Sequence, residues 1–363
     1  MKNKLIEGWK EVELGDILDY EQPNKYIIKG DILKDKSPTS IPVLTANKAF
    51  ILGYTNEEEG VYDKPPVIIF DDFTTDNKFV NFKFKIRSSA MKILTPKTKE
   101  VDLKFIFLLI QTIKFNSTTH KRYYLSTYQK IKINLPPLQV QKHIVSILEK
   151  AEKLKHKRKE ADKLTKEYLQ SIFNEMFGDK SKLKSLKEVC EIIMGQSPPG
   201  NSYNETGDGT PFFQGKSEFT EKYPIVKKWT TQPTKIASPN SILMSVRAPV
   251  GSVNLCNIKC CIGRGLASIV PKKEVNLQYA YSWFKLNEQN ISDLGMGSTF
   301  KAISSAQLAN LQMPIPSIEL QQKFTSIVED VERLKEKQKQ SKDEINIMFD
   351  SLMKQAFNGE LVK

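Results

Sequence analysis

Pro136-Pro-Leu-Gln-Val-Gln-Lys-His-Ile-Val-Ser-Ile-Leu-Glu149 returns 180 residues later as Pro316-Ser-Ile-Glu-Leu-Gln-Gln-Lys-Phe-Thr-Ser-Ile-Val-Glu329. The match runs without a gap from 136–178 onto 316–358, with 12 identities in 43 pairs, among them Pro136/Pro316, Gln141/Gln321, Ile147/Ile327, Leu154/Leu334 and Phe177/Phe357. A repeat at a fixed offset speaks to architecture, because both copies must adopt the same local structure. Each opens on proline and then runs for about 40 residues without Gly or Pro, which predicts one uninterrupted helix. At ~1.5 Å per residue each helix spans roughly 60 Å.

Apolar residues fall on a 3/4 spacing in both copies. The stripes are Ile144, Ile147, Ala151, Leu154, Arg158, Ala161, Thr165, Tyr168, Ile172 and, 180 residues on, Phe324, Ile327, Val331, Leu334, Gln338, Ser341, Ile345, Met348, Leu352. That spacing predicts a coiled-coil seam, and helices this long need a partner along it. If the two helices pair antiparallel, the central polar residues Arg158 and Gln338 should meet.

Working outward, the segment before each helix reads as a compact head. Trp9-Lys-Glu-Val12 resembles Leu186-Lys-Glu-Val189. Short β-rich runs follow in both, at 41–45, 66–70 and 79–86 in the first head and at 211–214, 241–246 and 251–255 in the second. A helix-like stretch then precedes a polar loop, at 102–114 and at 277–287. The expected domains are a head at 1–134, a long helix at 135–180, a second head at 181–314 and a second long helix at 315–363. The expected fold is α+β: two mixed α/β heads, each followed by a long helix, the helices packing as an antiparallel coiled coil with pseudo-two-fold symmetry. Such an object presents two reading heads to the two halves of a duplex site.

Composition fits a folded protein with an anionic partner. The 363 residues are 39% hydrophobic and 27% charged, with a net charge of +13. Most of the excess sits in the heads, at +5 over 1–134 and +6 over 181–315. No apolar run approaches 18 residues, so no membrane span is expected, and the first residues lack an apolar signal core, so a cytoplasmic location is expected. Cys190, Cys256, Cys260 and Cys261 do not have a usual zinc spacing and read as buried, reduced thiols, so no metal is expected.

Catalytic motifs are missing. The Pro-Pro pairs in Lys64-Pro-Pro-Val67, Leu135-Pro-Pro-Leu138 and Ser197-Pro-Pro-Gly200 do not fit an adenine-methyltransferase motif, and no phosphate-binding glycine loop is present. Asp71-Asp72 could be a metal pair or a strand-end turn, and the turn is favoured. No catalytic residue is assigned.

The layout resembles the type I restriction-modification specificity subunit over essentially the whole chain. In the second head the resemblance is carried by Pro211-Phe-Phe-Gln-Gly-Lys-Ser217, Ser245-Val-Arg-Ala-Pro-Val-Gly251, Cys261-Ile-Gly-Arg-Gly265 and Gly297-Ser-Thr-Phe-Lys-Ala-Ile-Ser304. The helix starts Leu135-Pro-Pro-Leu138 and Ile315-Pro-Ser-Ile318 are also similar to that family, as are Val67-Ile-Ile-Phe-Asp-Asp-Phe-Thr-Thr75 and Ser88-Ser-Ala-Met-Lys92 in the first head. The chain is short for the family. The resemblance implies that each head is a target-recognition domain reading half of a split double-stranded DNA site. It implies that the helices dock two modification (methyltransferase) subunits, which motor-nuclease restriction subunits join. It also implies that S-adenosylmethionine, ATP and Mg2+ are used by those partners, with no cofactor bound by this chain.

Candidate DNA contacts follow from side-chain chemistry. Arg247, at an expected strand end, suits a guanine edge or a phosphate, or else an ion pair inside the head. Gln214 and Lys216 flank a glycine, with Ser245 and Arg264 nearby in the family-like stretches. Ser298, Thr299 and Lys301 suit phosphate, and the counterpart of their loop in the first head carries Lys121, Arg122 and Tyr123, which either grip the DNA backbone or, for the tyrosines, pack on the helix, contact being favoured. Thr45, Asn47 and Lys48 parallel the Gln214–Lys216 region, and Thr74, Thr75 and Lys78 complete the set. The basic run 155–159 reads most simply as a solvated helix face, the alternative being that it lies over the DNA spacer and meets phosphates. Two other readings are a specificity module of a lone type II-like nuclease-methyltransferase and a coiled-coil DNA-binding regulator.

Overall fold

The structure, a computed structural model, describes residues 7–45, 49–113, 122–178, 181–295 and 302–362, the side chain of Lys166 excepted. The chain divides into two compact units, Met1–Lys157 with Ser341–Lys363, and Arg158–Gln340. Each unit holds one head and part of both long helices, Leu138–Phe177 and Ile318–Asn358.

In the first unit a four-stranded antiparallel sheet runs in the order Leu18–Glu21, Met91–Pro96, Val67–Asp71, Asn77–Val80. Val67–Asp71 is buried throughout because both its faces are covered. Ile68 and Phe70 pack with the helix Leu103–Thr112, while Val67 and Ile69 pack with Leu44, Phe84 and Ile86. A continuous apolar run is the expected signature of a strand buried on two sides. The second layer is a three-stranded sheet in which Ile41–Leu44 pairs antiparallel with Ile51–Thr55 and parallel with Lys85–Ile86. Lys85, 2% exposed, reaches Glu57 at 2.8 Å, and this contact holds the Glu57 carboxyl below the usual carboxylate range.

The second unit repeats this plan. Its four-stranded sheet runs Cys190–Met194, Leu266–Pro271, Ser241–Ser245, Val253–Cys256. In its five-stranded layer Thr210–Phe213 pairs parallel with Cys260–Ile262. The helix Leu277–Leu286 starts on Asn276, whose side chain accepts from the Gln278 and Tyr279 N–H groups. The four cysteines are free and buried.

The repeat shows itself most closely where each long helix leaves its head. Gln141 is fully buried; its Oε1 accepts from Asp102 N–H at 2.7 Å, and its Nε2 donates to the Glu100 and Pro136 carbonyls. Gln321 is fully buried too, accepting from Asn276 N–H at 2.7 Å and donating to the Glu274 and Pro316 carbonyls. In each unit one fully buried amide side chain satisfies three backbone groups, which is why an apolar residue would not serve there.

The expected helix stripe needs correction. Leu154 and Leu334 are each 47% exposed, and Tyr168 and Met348 also face solvent. Gln141, Ile144, Leu148 and Ala151 turn inward on the first helix, and Gln321, Phe324, Val331 and Gln338 on the second, with Ile147 and Ile327 half-buried. The cause lies at the head: Ile144, Val145 and Leu148 join its core, so the buried face advances from Leu148 rather than from Ile147. The expected meeting of Arg158 with Gln338 is also replaced. Gln338 bonds to Thr165, and Arg158 Nε lies 3.3 Å from Asp162 of its own helix. Of the basic run, Lys155 is half-buried, with its ammonium 4.3 Å from the Phe349 ring centre.

Among the described residues no cluster of His, Cys, Asp and Glu could hold a metal, and no helix is long and apolar enough to cross a membrane.

Candidate nucleic-acid interface

In the second head four segments meet where strands end. Thr210–Phe213 runs into Gln214, Ser241–Ser245 into Val246 and Arg247, and Cys260–Ile262 into the turn 263–265; the segment 302–304 closes the set. Backbone hydrogen bonds tie them together. Gly263 N–H donates to the Phe213 carbonyl at 2.8 Å, Val246 N–H to that of Gly265 at 2.9 Å, and Ile303 N–H to that of Val246 at 3.0 Å. Gly265 is required by close approach, since a Cβ there would sit 2.4 Å from the Gln214 carbonyl oxygen.

Side chains then fix the loops. Glu218, 7% exposed, accepts from the N–H groups of Gln214 and Gly215 and from the Ser217 hydroxyl at 2.6 Å. Gln214 itself is exposed on this braced turn. Lys216 Nζ lies 3.8 Å from Glu288, which also accepts from the Ser252 hydroxyl. Burial holds the nearby Lys285 ammonium below the usual lysine range, with Glu288 and Glu221 opposing that shift. Arg247 and Arg264 are exposed and form no ion pair among the described residues, so the internal salt bridge considered for Arg247 is absent there. Ser245 is corrected: it is 2% exposed, and its hydroxyl donates to the Arg247 carbonyl at 2.9 Å, so it positions the arginine rather than meeting a ligand.

The first head builds the same ring. Arg87 N–H donates to the Leu44 carbonyl at 2.8 Å, Asp72 N–H to that of Ala90 at 3.1 Å, and Tyr123 N–H to that of Asp72 at 2.9 Å. These are the three bonds of the second head, one for one. Thr45 follows the strand Ile41–Leu44 and closes onto Phe50. Thr74 and Thr75 lie in a turn held by the Asp71 carboxylate, which accepts from Phe73 and Thr74 N–H groups. Thr75 has φ +64, and Lys78 is exposed on the following strand. Asp72 is 2% exposed, accepts from Tyr124 N–H at 2.9 Å and pairs with buried Lys92 at 3.4 Å. Both aspartates are thus structural. Arg122 is exposed, whereas Tyr123 is 6% exposed and packs in the core, a correction to its reading as a contact. Asn47, Lys48, Lys121, Ser298, Thr299 and Lys301 lie outside the described residues.

Sequence reasoning missed Arg87, exposed at the end of Lys85–Ile86. The heads align poorly as sequences, and only the parallel pairing of Lys85–Ile86 with Ile41–Leu44 reveals that Arg87 follows the strand matching Cys260–Ile262. It also missed Glu218, whose role depends on the turn it braces.

Comparison with known proteins finds relatives over most of the chain. A family model described as the type I restriction modification DNA specificity domain matches residues 6–165 and 178–346. The Escherichia coli type I restriction enzyme EcoR124I/EcoR124II specificity subunit is 32% identical, over 91% of this chain and 89% of that relative. A structure described as the basis of complex assembly and conformational transition of the type I R-M system is 27% identical, with TM-score 0.69, covering 99% of this chain and all of that one. The HsdS subunit from Thermoanaerobacter tengcongensis is 26% identical, with TM-score 0.50 and 99% of both chains covered.

Proposed function

The chain belongs to the type I restriction-modification specificity-subunit family, and from that premise we propose that it reads a bipartite, asymmetric DNA site with its two heads and holds modification and motor-nuclease subunits to that site. The observation that carries this reading is the ring of strand ends, built by the same three backbone bonds in both heads and furnished with exposed Arg87 and Arg122 in one and Gln214, Arg247 and Arg264 in the other. Backbone amides and cations suit phosphates, and planar guanidinium and amide groups suit base edges. The same scaffold carrying different side chains suits two unlike half-sites.

The long helices act as the spacer, pairing as an antiparallel coiled coil that relates the heads by a pseudo-two-fold axis. The contacts of the second unit support the antiparallel pairing: residue 165 meets 338, while 173 and 177 meet 324, so numbers rise on one helix as they fall on the other. The chain performs no chemistry itself; S-adenosylmethionine, ATP and Mg2+ belong to the partner subunits, and the complex works on cytoplasmic DNA.

Methylome sequencing of the host, with and without this gene, tests the reading. A split, non-palindromic methylated motif should vanish with the gene. Loss of a palindromic motif, or methyl transfer by the purified chain alone, overturns it.

A further inference from the structure

We propose that Arg87 sets the specificity of the first head, reading a guanine edge in that head's half-site through its paired N–H groups. The inference rests on the DNA-reading role proposed above and assigns a residue to it.

Position comes from the two heads' shared pairing. Val43 and Leu44 pair parallel with Lys85 and Ile86 as Phe212 and Phe213 pair with Cys261 and Ile262. Asp71 opposes Met91 as Ser245 opposes Leu266. The connection 87–90 in the first head therefore occupies the place of 263–265 in the second. The bond-for-bond match puts Arg87 at the place of Gly263, one residue before Arg264, so the cation of this turn is Arg87 in the first head and Arg264 in the second. The same matching puts Phe73 where the second head has Arg247. The first ring thus presents one guanidinium on its central turns where the second presents two, and an apolar ring replaces the other.

Chemistry comes from which cation is used. Only six of the chain's 55 cationic residues are arginine, and four of those, Arg87, Arg122, Arg247 and Arg264, stand in these ring segments. A chain that builds charge from lysine gains from arginine where a planar fork matters, as at the O6/N7 edge of guanine. Arg87 is exposed, forms no ion pair among the described residues, and is held by its backbone N–H rather than its side chain.

The test co-expresses the full chain with its host's modification subunits and reads the methylated motif by single-molecule sequencing, for wild type, Arg87→Ala, Arg87→Lys and Arg247→Ala. Arg87→Ala should admit other base pairs at one G·C position of one half-site, lowering discrimination there roughly tenfold or more. Arg87→Lys, which keeps the charge and loses the fork, should relax the same position, and Arg247→Ala should alter only the other half-site. The Leu44 bond survives both Arg87 substitutions, and a matching thermal melt confirms folding. An unchanged motif, a uniform loss of methylation with a flatter salt dependence, or relaxation of the same half-site by Arg87→Ala and Arg247→Ala would overturn the inference. A wild-type complex with no gene-dependent motif would instead defeat the DNA-reading role.

Discussion

Gln338 Nε2 donates to Thr165 Oγ1 at 2.9 Å, joining the two long helices through a pair of side chains that are each 8% exposed. Thr165 in turn donates to the Ala161 carbonyl at 2.8 Å, so the hydroxyl is satisfied on both sides. Gln338→Ala should cost about 0.5–1.5 kcal/mol in urea unfolding, since it removes the one hydrogen bond that the buried hydroxyl accepts while its bond to Ala161 stays. The double variant Thr165→Val/Gln338→Leu should recover most of that loss, because removing both partners leaves nothing unpaired. A double variant worse than the sum of the singles would show that the pair is not coupled in this way.

Gln141 and Gln321 should be less replaceable. Each serves three backbone groups that would stay in place after substitution. Gln321→Leu leaves Asn276 N–H and two carbonyls without this partner, so a loss of about 2 kcal/mol or more is expected by denaturation. Gln321→Glu should also destabilise, since a carboxylate cannot donate to those carbonyls.

Arg264→Ala should weaken DNA binding by the assembled complex across sequences and reduce the salt slope by about one unit, the behaviour of a lost phosphate contact. The measurement is binding affinity against salt concentration for cognate and random duplexes. A change confined to the cognate duplex would make Arg264 a base reader instead. Lys301→Ala is expected to act as Arg264→Ala does, on the chemistry of its loop.

Burial pushes the Cys190 thiol up to about 12. The folded protein should therefore resist alkylation of Cys190 at pH 8, with reaction appearing only on unfolding; mass spectrometry after iodoacetamide treatment measures this. The unfolded thiol ionises first, so this group's contribution to stability is intact below the ordinary thiol pKa and declines as pH rises from there toward 12.

Glu218 should act through the turn it braces. Glu218→Gln keeps one acceptor oxygen for the Gln214 and Gly215 N–H groups and should preserve recognition, whereas Glu218→Ala should free the turn and weaken discrimination in the second half-site alone. Methylated-motif sequencing distinguishes this from a general loss of folding, which would abolish both half-sites together.

The sequence by itself determined the plan. The 180-residue repeat, the proline-led starts and the long stretches free of Gly and Pro are local signals, and they specify Leu138–Phe177 and Ile318–Asn358 without reference to anything distant. The buried strands Val67–Asp71 and Ser241–Ser245 were legible as short β-rich runs. Only the tertiary structure decided which helix residues turn inward. A 3/4 spacing allows more than one stripe, and Ile144, Val145 and Leu148 chose among them by joining the head's core, which left Leu154 exposed. Tertiary structure alone also gave Gln338 its partner Thr165 and set Arg87 beside Leu44. Those relations depend on strand pairing and helix register between residues far apart in the chain, and register is fixed by packing of whole elements rather than by any short run of sequence.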